Sequence, residues 1–229
     1  LGGKNPMIVM EDADLDNAVA GALWAAYGTA GQRCTSLGNL ILHMGIAAEF
    51  KAKFIEGLAK MQMGNPMEHP DVTYGPMMNA RSSERFLEHF EMGRKDGATL
   101  LSGGAAWTDE NRDERVLGNI SRGTYMQPAL WDNVTKEMAI FQNEIFGPTV
   151  NLVTVKDFQE AMACANGTPY GLSSSIYTQN RHYIDIFKTT ISAGMSSINN
   201  STTGAEAHLP FGGIGGSGNG TRESGVLVL

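Results

Sequence analysis

Cysteine is scarce in this chain. There are two in 229 residues, Cys34 and Cys164, far apart in the sequence and in no Cys-x-x-Cys pair. That leaves neither a disulfide framework nor a thiolate zinc site, and it fits a reducing compartment, so a cytoplasmic protein is expected. Long apolar runs are also missing: none approaches the ~20 residues that span a bilayer, and no secretory signal is recognisable. Basic residues are few. Lys and Arg number 17 against 24 Asp and Glu, for a formal net charge of −7, and they form no stripe. We therefore expect no nucleic-acid partner and no membrane partner. No Walker-type phosphate loop occurs. Gly213-Ile214-Gly215-Gly216-Ser217-Gly218 fits GxGxxG literally, but the fingerprint works only between a strand and a helix of a βαβ unit. Here it sits in a terminal glycine-rich segment with no room for a second strand. Leu1 is not a methionine, and the chain stops inside the apolar run Val226–Leu229. Both ends read as cuts through structured sequence.

Short β-branched runs alternate with helical ones. Strands are expected at Met7–Met10, Gly38–His43, Ala98–Leu101, Tyr125–Trp131, Val150–Val155, Ser173–Tyr177 and Met195–Ile198. The acidic cluster Asp12–Asp16 caps a helix carrying Val19, Leu23, Trp24 and Tyr27. Further helices are expected at Ala47–Met61, with Phe50, Phe54 and Leu58 aligned, and at Ala80–Asp96, Asp157–Asn166 and Arg181–Ser192. The polar stretch Trp107–Arg122 reads as a surface hairpin or loop. This alternation predicts an α/β fold, a mainly parallel twisted sheet with helices on both faces. Residues 1–198 form the α/β body. Residues 199–229, rich in glycine and serine, form a long functional loop and the start of a C-terminal segment of the same domain.

Cys34 carries the chemistry. It stands in Ala30-Gly31-Gln32-Arg33-Cys34-Thr35-Ser36, with Gly28 and Gly31 ahead of it, so the backbone can approach a ligand closely. The reactive form of cysteine is the thiolate, which a neighbouring guanidinium favours. Arg-Cys-Thr-Ser is a poor core sequence, so Cys34 reads as a nucleophile. Cys164 lies in the amphipathic run Glu160–Ala165 and reads as packing.

Glu144-Ile145-Phe146-Gly147-Pro148 forms a stiff turn before a strand. Its carboxylate can accept hydrogen bonds from sugar hydroxyls and its aromatic can pack on a planar ring; a helix-end Glu and a core Phe are the other reading. Phe211, in Pro210-Phe211-Gly212-Gly213, is either a pocket wall or a loop anchor. Gly204 and Ala205 could offer backbone N–H groups to a carboxylate. Nothing in the sequence links His208 to Cys34.

Taken together these stretches resemble the aldehyde dehydrogenase superfamily, specifically its catalytic domain in the C-terminal half. Leu1-Gly2-Gly3-Lys4, Gly31-Gln32-Arg33-Cys34, Glu144–Pro148, Asn166-(x)3-Tyr170-Gly171-Leu172 and Pro210–Gly213 match five of its motifs in order. The resemblance implies that Cys34 attacks an aldehyde to give a thiohemiacetal and then a thioester, which water cleaves, with NAD or NADP as cofactor. It implies that the Cys34 N–H helps hold the oxyanion and that Glu144 and Phe146, with Leu1 and Gly2, bind the cofactor. Phe211 would line the aldehyde tunnel. Arg33, Gly204 and Ala205 resemble the substrate grip of members acting on amino-acid semialdehydes, such as the aminoadipate semialdehyde branch. A homo-oligomeric parent, dimer or tetramer, is implied, and no metal.

There are departures. The family's general-base glutamate would immediately precede Leu1, and its cofactor-binding domain would lie upstream. Gly215 replaces the usual lysine of Phe-Gly-Gly-x-Lys. The 229 residues alone are therefore expected to be inactive. Rival readings are a CoA-acylating dehydrogenase, which would pass the acyl group to a thiol, a Cys-His hydrolase, and a non-catalytic binding module of the same fold.

Overall fold

The computed structural model describes residues 2–204, 206 and 208–224. A seven-stranded sheet organises them. Its strands are β1 (Asn5–Val9), β2 (Leu37–His43), β3 (Thr99–Ser102), β4 (Ala129–Asp132), β5 (Thr149–Val155), β6 (Ser173–Tyr177) and β7 (Met195–Ile198). They lie in the order β7-β6-β1-β2-β5-β4-β3. Every pairing is parallel except β3 with β4, at one edge. All five residues of β1 and of β6 are buried, as expected where both faces of a parallel sheet are covered.

The helices are α1 (Leu15–Tyr27), α2 (Ala47–Lys60), α3 (Ala80–Asp96), α4 (Ala139–Gln142), α5 (Phe158–Ala165) and α6 (Arg181–Thr190). Their ends follow local chemistry. Asp14, Asn79, Asp157 and Asn180 each cap an N-terminus by accepting backbone N–H bonds. α3 ends at Gly97 with φ 85°, and Arg94 and Lys95 lie in its last turn, where cations favour the helix dipole. Among the described residues no helix is long and apolar enough to cross a membrane.

Tyr27, Phe50 and Phe54 pack ring on ring between α1 and α2. Each fully buried aromatic of this kind contributes about 1.5–3 kcal/mol. The Tyr27 hydroxyl also donates to the Ala129 carbonyl, 3.0 Å away, which pins the C-terminal end of α1 to β4. Between β2 and β5 a buried amide pair does similar work. Asn151 Nδ2 donates to Asn39 Oδ1 and to the Ile140 carbonyl, each at 2.9 Å. Asn39 Nδ2 donates to the Phe141 carbonyl. Together they fasten α4, which leads directly into the Glu144 turn.

Two local expectations are corrected. Tyr125–Trp131 is not one strand: it splits into Tyr125–Met126 and β4, because Pro128 has no N–H to give a ladder. Trp107–Arg122 is not purely a surface loop. Trp107, Val116 and Ile120 are buried, and short strand pairs join Ala106–Trp107 to Tyr125–Met126 and Met63–Gly64 to Val116–Leu117. On α1, Trp24 is 47% exposed.

Candidate active site

α1 runs into a single 3-10 turn, Gly28–Gly31, that delivers Cys34. Thr29, Ala30 and Gly31 are left-handed in succession, at φ 56°, 56° and 63°. For Thr29 and Ala30 such a backbone costs of order 1–3 kcal/mol each, so surrounding contacts must hold it. Gly31 is one of them. A Cβ there would collide with the Gly147 carbonyl oxygen and lie 2.6 Å from its carbon. The Cys34 turn and the Glu144 turn therefore touch backbone to backbone.

Asn5, at the start of β1, is a second restraint. Its Nδ2 donates to the carbonyls of Cys34 (2.9 Å) and Ser36 (2.7 Å), and its Oδ1 accepts from Ser173 N (3.0 Å). Asn5 is buried, so one side chain satisfies three backbone groups and ties Cys34 to β6. The Thr202 hydroxyl donates to the Thr35 carbonyl at 2.9 Å, which anchors the loop after β7 to the same turn. Gly3 packs against it too, since a Cβ on Gly3 would lie 2.7 Å from the Cys34 carbonyl oxygen. Cys34 itself is half-buried with a free thiol.

The Glu144 carboxylate accepts from Gly3 N at 3.0 Å, and a Cβ on Gly2 would sit 2.7 Å from its Oε2. Burial raises the Glu144 carboxyl above the usual range, while the Gly3 N–H and the Lys4 ammonium pull it down. Lys4 is buried, which drops its ammonium to about 7 against the opposing pull of Glu144. Phe146 is 41% exposed. Glu144 and Phe146 line a cavity of about 470 Å³ together with Asn143, Arg85, Phe86 and His89. A carboxylate acceptor beside an open aromatic face fits a sugar diol carrying a planar ring.

Arg33 lines a smaller cleft with Gly3, Glu144 and Phe146. Its guanidinium carbon lies 5.0 Å from the centre of the Trp24 ring. Among the described residues no carboxylate pairs with it. Gly204 and Phe211 line a different cavity of about 340 Å³, beside β7, so Arg33 and Gly204 are not brought into one pocket. Leu1 and Ala205 lie outside the described residues.

The histidines are elsewhere. His43 faces Glu11, His89 is buried against Trp131, and His69, His182 and His208 are exposed. Among the described residues no histidine hydrogen-bonds to Cys34. No cluster of metal-ligating side chains exists among them either. Cys164 is buried in α5. Asn5, Lys4 and Trp24 were not candidates from sequence: an asparagine or lysine beside a strand carries no signal of burial, and the partner groups lie far along the chain.

The Aldehyde dehydrogenase family model matches residues 1–229. An alpha-ketoglutaric semialdehyde dehydrogenase of Bacillus subtilis is 39% identical over 225 residues, 98% of this chain and 44% of that protein. Aldehyde dehydrogenase 1A1 of Oryctolagus cuniculus is 37% identical over 229 residues, 100% of this chain and 43% of that one. The crystal structure of betaine aldehyde dehydrogenase from Staphylococcus aureus in complex with NAD+ superposes with a TM-score of 0.90 at 29% identity, covering 99% of this chain and 43% of that chain. The chain thus spans under half the length of the relatives it matches.

Proposed function

Because this chain belongs to the aldehyde dehydrogenase family, we propose that it is the catalytic-domain portion of a nicotinamide-dependent enzyme that oxidises an aldehyde, specifically an acidic semialdehyde, to a carboxylic acid. The observation that carries this reading is the meeting of two distant turns. Gly31 abuts Gly147, and Gly3 N–H holds Glu144, so the turn that carries Cys34 and the turn that carries Glu144 are in contact, which supports a shared site.

Cys34 attacks the aldehyde carbon through its sulfur to form a thiohemiacetal, and its own backbone N–H steadies the oxygen that becomes negative. Asn5 fixes the Cys34 and Ser36 carbonyls so that this N–H keeps its direction. Glu144 and Phe146, with Gly2 and the neighbouring Leu1 of the sequence, would hold the ribose and ring of NAD or NADP. When bound, that cofactor supplies the hydride acceptor that turns the thiohemiacetal into a thioester. Water then cleaves the thioester and frees Cys34. Arg33 supplies a charge-assisted grip for the far carboxylate of the substrate, and Phe211, in the separate cavity beside β7, walls the aldehyde channel. The semialdehyde assignment draws support from the names of the relatives from Bacillus subtilis and Haloferax volcanii. Both cysteines are free thiols, in keeping with a cytoplasmic enzyme. A homo-oligomer is the expected assembly.

The activity belongs to the whole protein, and the 229 residues by themselves should not turn over aldehydes. The test is aldehyde-dependent NAD(P)H formation by the full-length protein and its Cys34→Ser variant. Loss by more than about 10³-fold in the variant, with free acid as product, is expected from losing a covalent nucleophile. Retained turnover in Cys34→Ser would refute the assignment. Release of product only in the presence of a thiol acceptor would move it to the acyl-transferring class.

A further inference from the structure

Trp24 is a large aromatic left out of the core. It sits in the last turns of α1 and is 47% exposed. Its indole nevertheless has neighbours on two sides. A Cβ at Gly28 would lie 3.0 Å from Trp24 Cε3, so the ring rests against a glycine backbone where any side chain would push it away. Across the ring sits the Arg33 guanidinium, 5.0 Å from the centroid. An arginine held over an aromatic ring is oriented by the ring's quadrupole, and the attraction costs none of its N–H donors. Among the described residues Arg33 has no carboxylate partner and donates no side-chain hydrogen bond. Its donors therefore stand ready for a planar anion, next in sequence to the nucleophile.

We infer that Trp24 is a specificity-setting positioning residue, an aromatic platform that holds the Arg33 guanidinium so that its N–H edge takes the far carboxylate of a short aldehyde acid while the aldehyde carbon reaches Cys34. The inference rests on the semialdehyde reading and adds to it the element that orients the cation. An arginine free to sample its rotamers gives less discrimination, because ordering that long side chain is then charged to each binding event. The substrate class follows from reach. A guanidinium and a thiol on adjacent residues can serve the two ends of one molecule of a few carbons, with a carboxylate at one end and an aldehyde at the other.

The test uses the full-length enzyme with 5-oxopentanoate and pentanal, alike in length and differing in the carboxylate, and reads kcat and KM for each. Trp24→Leu removes the π face; Trp24→Phe keeps one. In Trp24→Leu the ratio of kcat/KM for the acid over the neutral aldehyde should fall about two- to five-fold, the worth of an exposed cation–π contact. The fall should lie in KM for the acid, with pentanal kinetics unchanged, and Trp24→Phe should restore most of the ratio. Equal losses on both substrates would make Trp24 merely structural and overturn the inference. So would an unchanged ratio in Trp24→Leu where Arg33→Ala abolishes the preference. If wild type shows no preference, or Arg33→Ala leaves it intact, the semialdehyde reading itself falls, and the role of Trp24 with it.

Discussion

Replacing Gly31 with alanine drives a methyl group into the backbone of the facing turn. Two penalties combine. The first is conformational: at φ +63° an L-residue pays about 1–2 kcal/mol, less the ~0.4–1 kcal/mol that a stiffer unfolded chain returns. The second is steric. The new Cβ would collide with the Gly147 carbonyl oxygen and stand 2.6 Å from its carbon and 2.9 Å from the Ala26 oxygen. These are backbone atoms held by β5 and α1, so relief requires moving a whole turn, at a further ~1–3 kcal/mol. The sum is about 3 kcal/mol. With a urea dependence of about 1–3 kcal/mol per molar, the denaturation midpoint should fall by roughly 1–3 M. Gly97→Ala supplies the control, since Gly97 has φ +85° and nothing lies within 4 Å of its added Cβ; it should show the conformational penalty alone. Equal midpoints for the two variants would refute the claim that the turns are in backbone contact.

Two further expectations follow from the same geometry. Asn5→Ala removes three buried hydrogen bonds, each worth about 1 ± 0.5 kcal/mol. It should cost roughly 2–4 kcal/mol and change the rate at which Cys34 is alkylated, while labelling of Cys164 measured after denaturation stays constant. His89 receives the Trp131 indole N–H on Nε2 at 3.1 Å, while its Nδ1 faces the Phe86 carbonyl, so both nitrogens are committed in the neutral ring. Burial drops its pKa from 6.5 to about 4. Between those values the unfolded chain binds the extra proton and the folded one does not, so stability should decline as pH falls from about 6.5 to 4, by up to about 3 kcal/mol. A denaturation series in that window that is no flatter in His89→Phe would contradict it.

Much of this was legible in the residues. Asn79 and Gly97 bracket α3, and both ends of that helix fall where the cap chemistry puts them. The β-branched and apolar alternation gave the parallel sheet, and the motif residues gave Cys34 and Glu144. What was not legible depends on contacts distant in sequence. Nothing local says that Thr29, a β-branched residue, adopts φ 56°; the facing turn imposes it. Nothing local pairs Trp24 with Arg33, which it reaches only because the turn folds back over Gly28. Lys4 reads as a solvated lysine until β1 is placed in mid-sheet. The Tyr125–Trp131 run looked like one strand because its apolar pattern outweighed one proline.

The bond from Gly3 N–H to Glu144 joins residues 141 positions apart, and that has a consequence for how the protein comes into being. Neither half can shape the site alone. The bond closes only after β1, β2 and β5 have paired in order, through parallel contacts that are intrinsically slow to form. A nascent or misassembled chain therefore carries the Cys34 thiol without the backbone contacts that hold its turn. Completion of the sheet and ordering of the Cys34 turn are one event, and the change in Cys34 alkylation rate during refolding would serve as a clock for the last long-range closure.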